Sequence, residues 1–260
     1  MPRIHPSAVV EPGAKLAADV VIGACAVVGP EVELAAGVEL RPHAHVCGRT
    51  TIGEGSRIFP FAVVGEEPQD KSFTGETTQL LVGRDKVIRE HVTIHVGTRK
   101  GGGCTRVGDD NFIMNGVHVG HDTEIGSHCI IASHCALAGH VLVEDHAVIG
   151  GLSGIHQFTR VGESVMVAAM SGLSKDAPPF SLVASRRGRA RVSGINVVGL
   201  RRRGFSSEVR AEIKHAFHIL FNSKLRLDLA LERVRAEHFE CDEVARLLHF
   251  LESSKRGFYR

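Results

Sequence analysis

One residue in every six is aliphatic along two long stretches of this 260-residue chain. A period of six fits neither an α-helix, with its period of about 3.6 residues, nor a simple alternating strand. It is typical of a stacked solenoid, the hexapeptide β-helix, and predicts a mainly β fold with the aliphatic residues pointing inward. The aliphatic positions are Ile4, Val10, Leu16, Ile22, Val28, Leu34, Leu40, Val46, Ile52, Ile58 and Val64, then Val107, Ile113, Val119, Ile125, Ile131, Leu137, Val143, Ile149, Ile155, Val161 and Val167.

Two interruptions of this pattern predict insertions that leave the stack at corners. The first, near residues 66–81, is polar and carries Asp70 and Lys71; the second, near 98–106, contains Lys100 followed by three glycines. Loops on rigid scaffolds often carry function, so the first insertion is a candidate for ligand contact. Successive glycines let a backbone approach a phosphate, but no P-loop pattern accompanies them. We therefore expect the second insertion to be a flexible protruding loop.

The chain changes character near residue 190. After a last aliphatic position at Leu173, the pattern fades at Pro178–Pro179, and a basic segment follows at Arg186, Arg187, Arg189, Arg191 and Arg201–Arg203. Ser206 or Ser207 can cap a helix whose first turn holds Glu208, and apolar spacing beyond it predicts three or four helices. We predict a β-helical domain over residues 1–190 and a small α-helical C-terminal domain over 191–260.

Composition narrows the class of protein further. The 29 glycines and the absence of tryptophan suit a repeat fold with many tight corners. A formal net charge of +2 gives no case for binding nucleic acid. The six cysteines include no CxxC pair, and Cys129 and Cys135 share one repeat position, so we expect packed free thiols. No signal peptide or bilayer-length apolar stretch is visible, which predicts a cytoplasmic protein without stable membrane insertion.

Nine of the sixteen histidines lie between residues 91 and 156, and seven of these nine lie in the second stretch. Four occupy the fourth place of their hexads and predict a ladder up one side of the solenoid: His128, His134, His140 and His146. A polar surface is the ordinary explanation for any one of them. A zinc site is a second, since β-helical carbonic anhydrases hold zinc with histidines from two neighbouring subunits.

A general base is the third explanation, and His121 is its best candidate. An imidazole with a pKa near about 6.5 suits proton abstraction from a hydroxyl near neutral pH. His121 is followed by Asp122, a carboxylate that could orient it, and lies close to His118. Neighbours in a strand point to opposite faces, so the sequence does not predict that Asp122 touches His121.

Several short motifs, taken together and in order, resemble one known family. They are the segment His118–Asp122, the pairs Gly139–His140, Gly150–Gly151 and Pro178–Pro179, the triplet His156–Phe158, Asn196 and the segment Gly199–Phe205. This set resembles the UDP-N-acetylglucosamine O-acyltransferases of bacterial lipid A biosynthesis, over essentially the whole chain. The resemblance implies a left-handed parallel β-helix and a homotrimer with three active sites, each between neighbouring subunits.

The resemblance also implies a reaction. It is the transfer of an (R)-3-hydroxyacyl group from acyl carrier protein to the 3-hydroxyl of UDP-N-acetylglucosamine, the first step of lipid A biosynthesis. No metal or organic cofactor is implied beyond the phosphopantetheine thioester of the carrier, which is a co-substrate.

Roles for individual residues follow from the same resemblance. His121 matches the general base, and Gly139 matches the residue whose backbone N–H faces the developing oxyanion. The residues that match the sugar and acyl pocket are Asp70, His118, His140, His156 and Ala169, of which Ala169 stands where acyl length is measured. The residues that match the nucleotide site are Gln157, Asn196, Arg202 and Arg203, and the arginines suit a diphosphate because their planar fork donates two bonds at once.

Two departures from the family pattern and three competing functions qualify this interpretation. Lys71 comes one place earlier than the family's lysine, so its role stays open. Val198 replaces a glutamate found in some members, so that nucleotide contact is not expected. The N-acyltransferase of the same pathway carries an extra N-terminal domain, for which hexads that begin at Ile4 leave no room. The two remaining functions are a zinc-dependent hydratase of the carbonic anhydrase type and a non-enzymatic scaffold that binds carrier protein through its basic C-terminal region.

Overall fold

A computed structural model shows a β-helix in which each coil contributes one short strand to each of three parallel sheets. It describes residues 1–186 and 188–260, with Arg186 described by its backbone alone. Arg187 and the side chain of Arg186, both in the predicted basic segment, therefore lie outside the described residues. Arg3 pairs with Val21, 18 positions further on, so one coil contains three hexads.

The described strands divide into three sheets, A, B and C. Sheet A contains β1 Arg3–Ile4, β4 Val21–Ile22, β7 Glu39–Leu40, β10 Arg57–Ile58, β13 Val87–Ile88, β16 Phe112–Ile113, β19 Ile130–Ile131, β22 Val148–Ile149, β25 Met166–Val167, β27 Ser181–Arg186 and β28 Arg189–Ile195. Sheet B contains β2 Val9–Val10, β5 Val27–Val28, β8 His45–Val46, β11 Val63–Glu66, β14 Thr93–His95, β17 His118–Val119, β20 Ala136–Leu137, β23 Gly154–Ile155 and β26 Gly172–Leu173. Sheet C contains β3 Lys15–Leu16, β6 Glu33–Leu34, β9 Arg49–Ile52, β12 Gln79–Val82, β15 Cys104–Val107, β18 Glu124–Ile125, β21 Leu142–Val143 and β24 Arg160–Val161.

The interior of the helix is filled by the predicted aliphatic positions and by a second, smaller set. The first place of nearly every hexad is buried, while Ile4 in the first coil remains 43 % exposed because no coil covers it. The fifth place also points inward and carries small side chains such as Ala44, Cys129 and Cys135. All six cysteines are free, and Cys129 and Cys135 are buried as expected.

Three edges, where the chain turns from one sheet to the next, carry the fourth-place residues. Edge 1 joins sheet A to sheet B, edge 2 joins B to C, and edge 3 joins C to A. At many corners the fourth-place residue has a positive φ, a conformation in which His, Asp and Asn are enriched among non-glycine residues.

The prediction of one histidine ladder up one side is wrong. Because a coil holds three hexads, successive fourth places fall on successive edges. His134 lies on edge 1, His140 on edge 2, and His128 and His146 on edge 3, where their rings stack with centroids 4.7 Å apart. Only residues 18 apart stack, so the four histidines cannot share one face.

Both insertions leave the stack at edge 2. The first insertion occupies residues 67–78, between β11 and β12, and the second occupies residues 96–103, between β14 and β15. The second is not the flexible protruding loop that its glycines suggest. It contains a 3₁₀ turn over Arg99–Gly101, its Thr98 is buried, and it leads directly into the buried residues Cys104 and Thr105.

A hairpin and four helices complete the chain. The antiparallel pair β27 and β28, which the sequence pattern did not predict, extends sheet A. The helices are α1 Val197–Arg202, α2 Ser207–Phe217, α3 Leu227–Ala236 and α4 Asp242–Glu252, with a π-helical turn over His218–Asn222. Ser206 caps α2, as its sequence predicts, by accepting a hydrogen bond from the N–H of Val209. None of the described helices combines the length and apolarity needed to span a bilayer.

Candidate active site

His121 and Asp122 form a hydrogen-bonded pair on edge 2. The Nδ1 atom of His121 lies 2.8 Å from Oδ2 of Asp122. The side chain of Asp122 is only 1 % exposed and that of His121 is 16 % exposed, so the carboxylate is inside and the imidazole faces outward. A carboxylate on Nδ1 favours the tautomer that carries its proton there, which leaves Nε2 free to accept a proton.

The contact arises because the chain turns at these two residues. Asp122 has φ of 57°, in the left-handed region, so its side chain does not alternate with that of His121 as it would in a strand. The two side chains therefore meet, although strand alternation argued against it. The neighbour one coil further on, His140, also sits in this conformation, with φ of 60°.

The second insertion holds Asp122 in place. Thr98 donates two hydrogen bonds to the carboxylate, from its N–H at 2.8 Å and from its hydroxyl at 2.6 Å. The N–H of Asp122 in turn donates to Oγ1 of Thr105 at 2.8 Å. Gly101 packs so closely on the carboxylate that a Cβ added there would overlap it. Thr98 is not predicted from the sequence, where its only signal is its position at the start of an insertion.

Gly139 faces the ring of His121. A Cβ at this position would lie 2.6 Å from Cε1 of His121, so only glycine fits beside the imidazole. Within residues 1–186 and 188–260, the N–H of Gly139 has no hydrogen-bond acceptor. A free backbone donor next to a candidate base is the arrangement that an oxyanion needs.

His140 closes the other side of His121. The two rings meet edge to face with centroids 5.1 Å apart, and His140 stacks on Phe158 at 4.5 Å. Burial lowers the pKa of His140, and the charge of Asp122 opposes this shift only in part. His140 therefore favours its neutral form near neutral pH.

His118 and His95 extend the site along the outer face of sheet B. Their ring centroids are 5.2 Å apart, and Nδ1 of His118 lies 2.9 Å from the hydroxyl of Thr93. Burial, together with His95 and His121, lowers the pKa of His118. His95 was not identified from sequence; its Nδ1 lies 2.6 Å from the carbonyl of Glu67, while its buried Nε2 finds no partner among the described residues.

Asp70, in the first insertion, lies close enough to His121 for their charges to interact. The N–H and hydroxyl of Ser72 donate to its carboxylate at 2.9 and 3.0 Å. These bonds lower the pKa of Asp70, and the charges of His121 and Lys100 lower it further. Both insertions thus approach His121 from edge 2.

His156 and Gln157 lie at the next turn of edge 2. Both are exposed, and Nδ1 of His156 lies 3.1 Å from a guanidinium nitrogen of Arg256, near the end of the chain. Edge 2, together with the adjoining strand β17 and the first insertion, therefore collects seven of the predicted site residues: Asp70, His118, His121, Gly139, His140, His156 and Gln157.

The other four predicted residues lie elsewhere in the same chain. Ala169 is exposed on edge 1 beside Met170. Asn196 caps α1 and donates to the carbonyl of Ser164 on edge 3, at 2.9 Å. Arg203 is paired with Glu163 on edge 3 at 2.8 Å, whereas Arg202 is exposed. One chain alone does not bring the eleven residues together.

Comparison with known proteins places these features in a family. Models described as "Udp N-acetylglucosamine O-acyltransferase; Domain 2" and "Bacterial transferase hexapeptide (six repeats)" match residues 176–259 and 104–139. The acyl-[acyl-carrier-protein]–UDP-N-acetylglucosamine O-acyltransferase of Myxococcus xanthus is 46 % identical over 260 residues, which are 100 % of both chains. The enzyme of the same name from Syntrophobacter fumaroxidans is 44 % identical over 258 residues, 99 % of this chain and 100 % of that one. The chain belongs to the UDP-N-acetylglucosamine O-acyltransferase family.

The fold of this O-acyltransferase agrees with solved members of the family. The UDP-N-acetylglucosamine acyltransferase of Bacteroides fragilis superposes with a TM-score of 0.95 at 38 % identity, covering 99 % of this chain and 100 % of that one. The predicted fold class, a left-handed parallel β-helix followed by a small helical C-terminal region, is confirmed. The chain is an enzyme, an acyltransferase.

One group of side chains in the acyltransferase site has the chemistry of a metal site. Donor atoms of His121, Asp122 and His140 all lie within 4.8 Å of one another. Asp122 already accepts two hydrogen bonds from Thr98 and one contact from His121, so most of its lone pairs are engaged. The hydrogen bonding therefore favours a base held by a carboxylate over a metal ligand set.

Proposed function

We propose that this enzyme transfers an (R)-3-hydroxyacyl group from acyl carrier protein to the 3-hydroxyl of UDP-N-acetylglucosamine, the first step of lipid A biosynthesis. The names of its relatives include both substrates, the acyl carrier protein and UDP-N-acetylglucosamine. The observation that carries the proposal is the chain of contacts from Thr98 through Asp122 to His121, which fixes an imidazole with a free Nε2 on an outer edge. A sugar hydroxyl that attacks a thioester requires such a base to take its proton.

His121 acts as the general base in the proposed step. Its Nε2 takes the proton of the sugar 3-hydroxyl as that oxygen attacks the thioester carbon. The carbon–oxygen bond forms, the carbon–sulfur bond breaks, and the proton passes from His121 to the departing thiolate of the carrier. Base catalysis of this kind contributes about 10²–10⁴-fold.

Gly139 supplies the oxyanion donor. Gly139 lies against the ring of His121, and its N–H, which has no acceptor within the described part of the chain, is available to the oxygen of the reacting thioester. Removing such a donor costs on the order of 3 kcal/mol. His118 and His140, whose lowered pKa values favour their neutral forms, add no positive charge of their own beside the proton on His121.

The active site is completed by a neighbouring subunit of a homotrimer. Ala169, Asn196, Arg202 and Arg203 fall on edges 1 and 3 of the chain that carries His121 on edge 2, so they reach a shared site only from another copy. Exposed Leu152 and Met170 lie on the edge of Ala169 and offer an apolar path for an acyl chain. Asn196 and Arg203 have intrachain partners that fix their positions, and exposed Arg202 is free to meet a diphosphate.

The proposed steps use only the side chains of the enzyme and the carrier's own phosphopantetheine thioester, with no metal or organic cofactor. They take place in the cytoplasm, where carrier protein and nucleotide sugar are available. The relatives of this chain are acyltransferases, which favours this reaction over a zinc-dependent hydratase.

The experiment that tests the proposal replaces His121. We expect His121→Ala to lower kcat/KM for acyl transfer by at least about two orders of magnitude while UDP-sugar binding, measured by calorimetry, changes little. His128→Asn is the matched control, since it removes an exposed imidazole on edge 3 and asparagine tolerates the left-handed conformation. Turnover of His121→Ala close to that of the control would remove His121 from the mechanism.

A further inference from the structure

Outside the candidate active site, His45, Cys47 and Glu66 bring three different metal-ligating atoms together. One donor atom from each side chain lies within 4.8 Å of the other two. The Sγ of Cys47 is 3.7 Å from Oε2 of Glu66. His45 and Cys47 are half-buried and Glu66 is exposed, so an ion in solution can reach the group.

The backbone holds this group together. Val46 points into the core and is 0 % exposed, so His45 and Cys47 on either side of it both face outward. In the next coil, β11 has a bulge between Val64 and Glu66, and Gly65 adopts φ of 94°. The bulge turns Glu66 outward beside Cys47. A Cβ on Gly65 would overlap the carbonyl oxygen of Cys47, so this approach requires glycine.

The three donors suit a divalent cation of intermediate softness. Thiolate, imidazole and carboxylate are the ligands that Zn²⁺ and the similar ion Co²⁺ combine in proteins. The thiol of Cys47 would lose its proton on ligation, because the thiolate is the form that binds a metal.

We propose that His45, Cys47 and Glu66 bind one divalent cation of the zinc class, at a site separate from the acyltransferase chemistry. Glu66 is the last residue of β11 before the first insertion, and the insertion carries Asp70 four residues later. A bound cation would connect Glu66, at the start of that insertion, to the coil below, where His45 lies in β8 and Cys47 directly follows it. Three protein ligands leave the fourth position to water, as in other open zinc sites.

The sulfur ligand distinguishes this site from the histidines near His121. The group formed by His121, Asp122 and His140 contains no sulfur, so of these two groups among the described residues only the one with Cys47 can give a cobalt–thiolate charge-transfer band. The test is to titrate the full-length protein, freed of metal with a chelator, with Co²⁺ and to follow this band in the near ultraviolet. Zn²⁺ is then added to displace the cobalt.

The proposal predicts one Co²⁺ per chain with a thiolate band that Zn²⁺ abolishes. Cys47→Ser should remove the band, and Glu66→Gln should weaken binding by more than about tenfold, because loss of even a supporting partner costs 10–100-fold. Cys25→Ser is the matched control, since Cys25 is another free thiol, exposed at the surface, and has no part in the group. It should leave the band and the affinity unchanged.

Thermal unfolding gives a second readout. Zn²⁺ should raise the melting temperature of the wild type and of Cys25→Ser, but not of Glu66→Gln, whose substitution lies on the surface and leaves the coil intact. Two results would overturn the proposal. One is the absence of a thiolate band in the wild type, and the other is a band or a thermal shift that survives in both Cys47→Ser and Glu66→Gln.

Discussion

The left-handed corner residue links the histidines of the sequence to the candidate chemistry. Asp122 and His140 occupy equivalent fourth places on edge 2, one coil apart, and both have positive φ. This conformation turns the Asp122 carboxylate back under His121, and it places the His140 ring against the other side of the same imidazole. Residue types that tolerate the corner thus supply both the carboxylate and the aromatic wall of the site.

The lowered pKa values of His118 and His140 predict how stability depends on pH. Below pH about 6.5 the unfolded chain protonates these histidines while the folded chain does not, so the folded state loses stability as pH falls. Their contribution is fully present above the unfolded pKa and is lost as pH falls toward the lower folded values. Charged or titratable neighbours are His95 and His121 for His118, and Asp122, His121 and Asp70 for His140.

Paired variants isolate this contribution from general acid unfolding. We expect the melting temperature of the wild type to fall more between about pH 7.5 and 5.5 than that of the double variant His118→Gln, His140→Asn, since neither replacement takes up a proton. His128→Asn again serves as the control, because it removes an exposed imidazole on edge 3, outside the group around His121. Equal falls in the wild type and the double variant would show that the two histidines titrate alike in the folded and unfolded chain.

Sequence alone located these side chains but not their contacts. The interior of the coils followed from a single aliphatic residue per hexad, and the burial of Cys129 and Cys135 followed from their shared repeat position. The contact of Asp122 with His121 did not follow, because strand alternation holds only within the two-residue strands and fails at the corner. His95 was missed since nothing in its neighbourhood marks a buried and unpartnered ring nitrogen.

At the scale of elements, the second insertion acts as a clamp on Asp122. Its 3₁₀ turn is capped by Thr98, whose N–H and hydroxyl donate to the carboxylate, and Gly101 allows the turn to approach closely. The insertion was visible as a break in the hexads. Its contact with Asp122 was not visible in the sequence, because Thr98 and Asp122 are 24 residues apart. They meet only because the insertion adds residues to the 18-residue coil.

Gly101→Val tests whether the second insertion holds the Asp122 carboxylate in position. A side chain at position 101 must displace either the turn or the Asp122 carboxylate, and misplacement of a catalytic group by about 1 Å can cost 10²-fold. We expect kcat/KM to fall by about that factor with little change in the melting temperature. Gly102→Asn is the matched control, since nothing lies within 4 Å of a Cβ added at that position and asparagine is among the residues enriched at positive φ. Equal activity of the two variants would mean that the turn does not position the base.

At the scale of the whole molecule, the predicted site residues are distributed over the three edges. Edge 2 carries the proposed base, the proposed oxyanion donor and both insertions, whereas Ala169 lies on edge 1, and Asn196 and Arg203 contact edge 3. A threefold assembly in which edge 2 of one chain meets other edges of its neighbour would give three equivalent sites. The exposed Leu152, Phe158 and Met170 at these edges are the apolar surface that such an assembly would cover.

The period of six predicted a solenoid but not the number of hexads in a coil. One, two or three hexads per coil would give the same aliphatic spacing, yet only three per coil sends His134, His140 and His146 to different edges. The handedness came from the family resemblance, and the β27–β28 hairpin was hidden within a basic segment. No pattern along the chain could therefore predict that the residues of the site lie at three different edges.

Mixed trimers test the claim that each site is shared between chains. His121→Ala removes the proposed base on edge 2, and Arg202→Glu reverses the charge of an exposed arginine in α1, next to edge 3. Each variant alone should have little activity at substrate concentrations below KM. Co-expressed in equal amounts, they should recover about one quarter of the wild-type activity, because that fraction of interfaces pairs an intact base with an intact arginine.

The control is a mixture of two variants that both damage edge 2, His121→Ala and Asp122→Asn, in which no interface recovers an intact pair. The decisive measurement is the specific activity of the first mixture relative to this control and to the two separate variants. Recovery of about a quarter of wild-type activity in the first mixture alone is the predicted result. Activity no greater than the sum of the separate variants would contradict a site built from two chains.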